Sequence, residues 1–139
     1  MNKVIVDTGF WYALYDERDE YHQQAIKLFE YLSMSKIIIP FPSLYETINT
    51  RFAKKRVCME EFEMLLKGEN VVLLDDTDYK DEALELTIES SKLKEPYSLV
   101  DMIIRLMLSD NNIDINYMLT FNKGDFIDVC LSKQIEILS

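Results

Sequence analysis

Four acidic side chains stand where elements of secondary structure should start or stop. Asp7 closes the apolar run Lys3-Val4-Ile5-Val6, Glu46 opens one helical stretch, Asp101 opens another, and Asp125 follows Tyr117-Met118-Leu119-Thr120-Phe121. If these runs are parallel strands, residues at their C-terminal ends and in the helix mouths beyond them converge on one edge of the sheet. Carboxylates gathered there form an all-oxygen donor set suited to a hard metal ion.

Each acid also has a purely structural use. Asp7 can cap a helix around Phe10, and one oxygen cannot easily serve both a cap and an ion. Ser43 precedes Glu46 by three residues and Ser98 precedes Asp101 by three. At this spacing a serine and an acid satisfy opposite backbone donors at a helix start. For Glu46, location favours the chemical role, because its helix follows directly on the second strand and the positive end of the dipole attracts a carboxylate. In the last motif Asn122 can bond a metal-bound water while Asp125 supplies charge, and a solvated turn is the alternative for both. Phe126 would pin that turn to the core. Arg105, one turn beyond Asp101, is suited to restrain that carboxylate, to contact a phosphate or to make an ordinary helix salt bridge.

The elements that must position these groups follow from the apolar pattern. Val4 to Val6, Ile37 to Ile39, Val71 to Leu74, Tyr117 to Phe121 and Ile135 to Leu138 read as five short strands. A brief helix from Phe10 to Tyr15 follows the first. Asp19 is placed to cap the next, with Ala25, Leu28, Phe29 and Leu32 at helical spacing. Ser43 starts a helix after Pro40 and Pro42, and a further helix containing Phe62, Leu65 and Leu66 ends near Gly68. Thr77 or Asp78 starts the helix with Ala83, Leu84 and Ile88. Pro96 separates it from one running from Ser98 to about Leu108. Strands interleaved with helices predict a mostly parallel three-layer α/β domain.

With 139 residues and 48% apolar residues, the chain can bury one substantial core, so a single domain spanning 1–139 is expected. Only three glycines and three prolines leave little room for a linker. Cys58 and Cys130 lack metal-binding spacing, and neither a secretion signal nor a spanning segment is evident, so a reducing cytoplasm without membrane contact is expected. The formal charge of −10 would ordinarily weigh against nucleic acid as a partner. A metal in the acidic pocket reverses the local field, however, so an acidic nuclease remains physically reasonable.

These residues together resemble the PIN-domain ribonucleases, and among them the VapC-like toxins. Val4-Ile5-Val6-Asp7-Thr8-Gly9-Phe10 with Ala13-Leu14 and Asp19 to Ala25 resembles the family's first strand, first acid and following helix. Ser43 to Asn49 resembles the segment bearing its glutamate, Ser98-Leu99-Val100-Asp101 the next acidic motif, and Leu119-Thr120-Phe121-Asn122 with Asp125-Phe126 the last. The likeness spans nearly the whole chain. It implies a five-stranded sheet in the order 3-2-1-4-5, a homodimer, and RNA cleavage dependent on Mg²⁺ or Mn²⁺ that leaves 3′-hydroxyl and 5′-phosphate ends. Asp7, Glu46 and Asp101 would be the core metal ligands. The family commonly has an acid where this chain has Asn122, so Asp125 contributes instead or the fourth acid is missing. A small antitoxin partner is also implied.

An RNA strand must also be held. Arg51, Lys54, Lys55 and Arg56 form the clearest basic patch, on a helix leading away from Glu46, although Glu60, Glu61 and Glu63 offer them ordinary ion pairs. Trp11, Tyr12 and Tyr15 suit packing of the first helix or a dimer surface better than base stacking, and His22 suits a helix surface. A covalent nucleophile has little support, which leaves water. Two competing readings are a catalytically silent PIN-like RNA-binding or assembly domain, favoured by Asn122, and a signalling receiver phosphorylated on Asp75. The second is disfavoured because Asp7 lacks an acidic neighbour in its own motif.

Overall fold

The computed structural model describes residues 1–94 and 96–139. Five parallel strands, β1 (Lys3–Val6), β2 (Lys36–Pro40), β3 (Val71–Leu74), β4 (Tyr117–Leu119) and β5 (Glu136–Leu138), form one sheet in the order β3-β2-β1-β4-β5. Parallel neighbours require crossover connections, and the helices supply them. These are α1 (Thr8–Tyr15), α2 (His22–Leu32), α3 (Phe41–Thr47), α4 (Thr50–Ala53), α5 (Arg56–Leu66), α6 (Lys80–Ser90), α7 (Leu99–Ser109) and α8 (Ile127–Lys133).

The central runs Val4 to Val6 and Ile37 to Ile39 are unbroken and apolar because both faces of the sheet are covered there, whereas the edge strand β3 leaves Leu73 exposed. Val4, Val6, Ile37, Ile39 and Leu119 join Phe10, Trp11, Leu32 and Phe62 in one core layer. Ile5, Ile38 and Met118 point the other way, against Ala83, Ile104, Met107 and Phe126. Neighbouring positions on a strand thus serve opposite cores, as the pleat demands. The result is the expected three-layer α/β/α arrangement with the expected strand order.

Local details differ from the sequence reading. The helix bearing Glu46 begins at Phe41 and not at Ser43, since Pro42 in its first turn needs no N–H partner and already has a helical φ. Ser43 makes no cap, and its Oγ is buried without a partner among the described residues. Neither Asp19 nor Thr77 nor Asp78 caps a helix: α2 and α6 start after Tyr21 and Tyr79, without side-chain caps. Asp19 accepts the N–H of Tyr21 in the preceding turn instead. The basic patch is not one helix, because the chain breaks between α4 and α5 at Lys54 and Lys55. α8 is a helix that the apolar pattern does not predict.

Phe126 is fully buried and joins α8 to the core beneath α7. Phe126→Ala should cost roughly 3 to 5 kcal/mol by leaving a cavity. Urea unfolding should show a lower midpoint at an unchanged slope.

Candidate active site

Asp7 is the first residue beyond β1, and its backbone N–H continues the ladder to the Leu119 carbonyl at 3.0 Å. Although only 5% exposed, its carboxylate is well provided with donors. One oxygen accepts the Thr8 N–H at 2.8 Å and so caps α1, while the other accepts the Thr120 hydroxyl at 3.0 Å. Capping and site formation are therefore divided between two oxygens. Thr120 is itself buried at the end of β4, and its Oγ accepts the Asn122 N–H at 3.0 Å.

Thr8 links the first acid to the second. Its hydroxyl donates to Glu46 Oε1 at 3.0 Å. Glu46 lies near the C-terminal end of α3, not in the first turn, and it is exposed. The Tyr12 hydroxyl donates to the Glu46 carbonyl, and the Asn49 amide donates to the Tyr12 oxygen at 2.6 Å and to the same carbonyl at 3.2 Å. These bonds satisfy a carbonyl left open where α3 ends.

Asp101 sits in the first turn of α7, and its N–H donates to the Ser98 Oγ at 3.1 Å, so the serine does cap this helix. Capping occupies the backbone of Asp101 and leaves its carboxylate available to the site. Burial, then the charges of Asp7 and Asp125 and, more weakly, Glu46 push that carboxyl up to about 6, against a lowering hydrogen bond from Ser98. Asp7 is also raised, first by burial and then by Glu46 and Asp125, while the bonds from Thr8 and Thr120 oppose the shift. Asp7, Glu46, Asp101 and Asp125 thus share one electrostatic field. Asn122 adjoins it but lines a neighbouring cleft.

Arg105 does not bond Asp101. Its guanidinium forms a two-pronged pair with Asp128 at 2.6 and 2.7 Å, donates to the Asp125 carbonyl at 2.7 Å and lies 4.3 Å from the Tyr97 ring centre. It braces the 3₁₀ turn carrying Asp125. Arg51 and Lys55 line the neighbouring cleft, Lys54 is exposed, and Arg56 pairs with Glu60 at 2.9 Å. His22 is half-buried, with Nδ1 2.7 Å from the Ala13 carbonyl, and Trp11 is fully buried in the core. Asp75 accepts the N–H and hydroxyl of Thr77, which gives it a turn-forming role.

Local spacing gives Thr8, Thr120, Asn49 and Asp128 no part in the site, and it gives Tyr12 a packing role in the first helix or a dimer surface and not the bond to the Glu46 carbonyl seen here. A hydroxyl beside an acid at a strand end was the available signal for Thr8. Thr120 and Asp128 meet partners 113 and 23 residues away, which local spacing does not reveal.

Among the described residues, no three His, Cys, Asp or Glu side chains already stand in position to hold one ion. The donors nevertheless fit a hard divalent cation in kind: they are carboxylates, and burial, with the charge of the neighbouring acids added to it, raises Asp7 and Asp101 toward the neutral form.

No family model matches the sequence, and no curated protein matches it. The structure superposes on that of Mycobacterium tuberculosis VapC20, a toxin that cleaves the sarcin-ricin loop, with a TM-score of 0.70, covering 90% of this chain and 94% of that one. The chain has a PIN-like fold. Identity over the superposition is 21%, so the likeness is one of architecture, and the roles of individual residues rest on the geometry above. Among the described residues, no helix is long and apolar enough to cross a membrane.

The raised acids set the sign of a pH effect. An acid whose folded pKa exceeds its unfolded one holds its proton longer in the folded state, so stability falls as pH rises from the unfolded value toward about 6. Because Asp101 is partly solvated, its share should be only about 1 kcal/mol. In chelator, thermal melts should rise as pH is lowered from 7 to 5, and Asp101→Asn should flatten that dependence. A variant with the wild-type slope would remove Asp101 as its source.

Proposed function

We propose that the chain, acting as one domain over residues 1–139, is a metal-dependent endoribonuclease and the toxin of a toxin-antitoxin pair in the cytoplasm. The observation that carries this reading is the shared field of Asp7, Glu46, Asp101 and Asp125 at the C-terminal edge of a parallel sheet. Burial of Asp7 and Asp101 and the neighbouring negative charges both disfavour their ionised forms, and a bound cation would relieve both. Likeness of fold to a toxin supports the biological role, and with it a homodimer and a small antitoxin partner.

Asp7, Glu46 and Asp101 would hold the ion. Asp125 is the preferred fourth acid, because its charge acts on both Asp7 and Asp101. Asn122 is suited to orienting water. When bound, Mg²⁺ or Mn²⁺ supplies Lewis acidity toward a phosphodiester and toward water. The chain's own contribution is placement: Thr120 and the Thr8 N–H fix Asp7, the Thr8 hydroxyl holds Glu46 beside it, and the Arg105–Asp128 pair steadies the Asp125 turn. With four carboxylates facing the substrate, RNA approach depends on the cation reversing the local field. Asn122 in the last motif favours a second reading, a silent PIN-like RNA-binding or assembly domain.

Asp101→Asn keeps the shape of the helix start while removing a charge, so Mn²⁺-dependent cleavage of structured RNAs should fall by roughly 10²-fold or more. Ser98→Ala should lower stability by about 0.5 to 2 kcal/mol yet retain metal-dependent turnover. Folded Asp101→Asn protein with wild-type cleavage would refute the assignment. Calorimetric titration separates the two readings, since a silent domain would show no Mn²⁺ binding.

A further inference from the structure

Beside the acidic cluster, bordered by α1, the turn after it, α4 and Phe121, lies a cleft of about 420 Å³. Its size falls within the range of small-ligand pockets. The cleft adjoins the acids through the chain itself: Gly9 follows Thr8, Asn122 belongs to the Asp125 motif, and Tyr12 is bonded to the Glu46 carbonyl. A strand whose phosphate lay over the carboxylates would have its next residue at this opening.

The lining is aromatic and electrically balanced. Tyr12, Tyr15 and Phe52 form one side, their rings meeting edge to face. Tyr21 and Phe121 form another, their stacked rings 4.6 Å apart between centres and only 6° from parallel. Asp16 and Asp19 offset Arg51 and Lys55, and Asp16 is further engaged by Arg18 and Lys55 at 3.4 and 4.0 Å. A balanced lining gives little attraction to a free phosphate. A neutral, flat heterocycle gains most there, because a stacked aromatic pair is readily extended by a third ring, whatever its sequence identity.

We propose that this cleft receives one unpaired nucleobase of the substrate RNA, adjacent to the cleaved phosphodiester, stacked on the Tyr21–Phe121 pair, with Arg51 meeting the neighbouring phosphate. The proposal rests on the ribonuclease reading and adds a requirement to it. A base held in a duplex cannot enter, so the strand must be single or the base turned out. Tyr21 is the residue on which to test this, since it is 36% exposed and makes no bond to any of the four acids.

The test is an amide-resonance titration of the whole ¹⁵N-labelled protein in chelator, with each of the four ribonucleoside 5′-monophosphates, and with ribose 5-phosphate as the baseless control. The nucleotides should move the amides of Gly9, Tyr21 and Asn49, and the control should not. Tyr21→Leu should weaken binding by at least about fivefold, the low end for losing one stacking ring, and Tyr21→Phe should stay within about twofold of wild type. Equal shifts with ribose 5-phosphate would make the cleft a phosphate site and overturn the proposal, as would silent cleft amides or unaltered binding by Tyr21→Leu. Shifts produced by N-acetylphenylalaninamide or N-acetylargininamide but not by nucleotides would assign the cleft to a protein partner and equally overturn it. Because chelator removes cleavage from the readout, nucleotide binding in a protein that never cuts RNA would uphold the cleft while defeating the ribonuclease reading. An active ribonuclease with an unresponsive cleft would do the reverse.

Discussion

The central position of β1 is the constraint from which the site follows. Its backbone is paired on one side to β2 and on the other to β4, with Val6 opposite Leu119. One residue further on, this register brings the Asp7 carboxylate to the Thr120 hydroxyl. A slip of a single residue would turn Asp7 toward a different face and reverse every core side chain of β1. Apolar burial on both faces forbids that slip, so core packing and the geometry of the acidic edge are one specification.

A buried carboxylate is costly unless it is bonded, and Asp7 shows how the fold meets that cost without giving up the charge. Two donors from different elements hold it, yet burial and neighbouring acids still raise its pKa. Asp101 is displaced in the same direction for the same reasons. Elsewhere exposed acids are relieved by nearby donors or bases, as Asp75 is by Thr77 and Asp128 by Arg105. Unfavourable electrostatics is thus concentrated at the sheet edge. Such local frustration is what functional sites retain when the rest of a structure is mutually consistent.

Arg105 supports that edge from behind. It lies on the same helix as Asp101, and its two-pronged bond to Asp128 fastens α7 to the start of α8 while also holding the Asp125 carbonyl. Two acidic motifs 24 positions apart in the chain are therefore kept in register by a cation that touches neither carboxylate. The planar guanidinium suits this task because it can meet a carboxylate, a carbonyl and an aromatic face together, which a lysine ammonium does less well.

The central strands were legible in the sequence because a parallel strand covered on both faces must be apolar throughout, and the runs at Val4 and Ile37 admit little else; the edge run at Val71, only partly covered, was legible from its apolar, β-branched start. Asp7 stood out as a candidate because it directly follows such a run, and Asp101 because it opens a helix three residues after a capping serine, a spacing that suits a cap as well as a site. Helix starts were harder. Ser43 and Asp19 have cap-forming side chains, but Pro42 advanced one helix and the turn around Asp19 delayed another, so backbone geometry outweighed side-chain preference. The roles of Thr120 and Asp128, the engagement of Arg105 and the aromatic cleft depend on contacts between distant segments. Periodicity and local spacing carry information about a residue's own element and its immediate neighbours, whereas these features arise only when the sheet order brings separate elements together. Sequence determined which residues could form a core and which acids would crowd its edge; tertiary structure decided which hydroxyls, cations and rings would surround them.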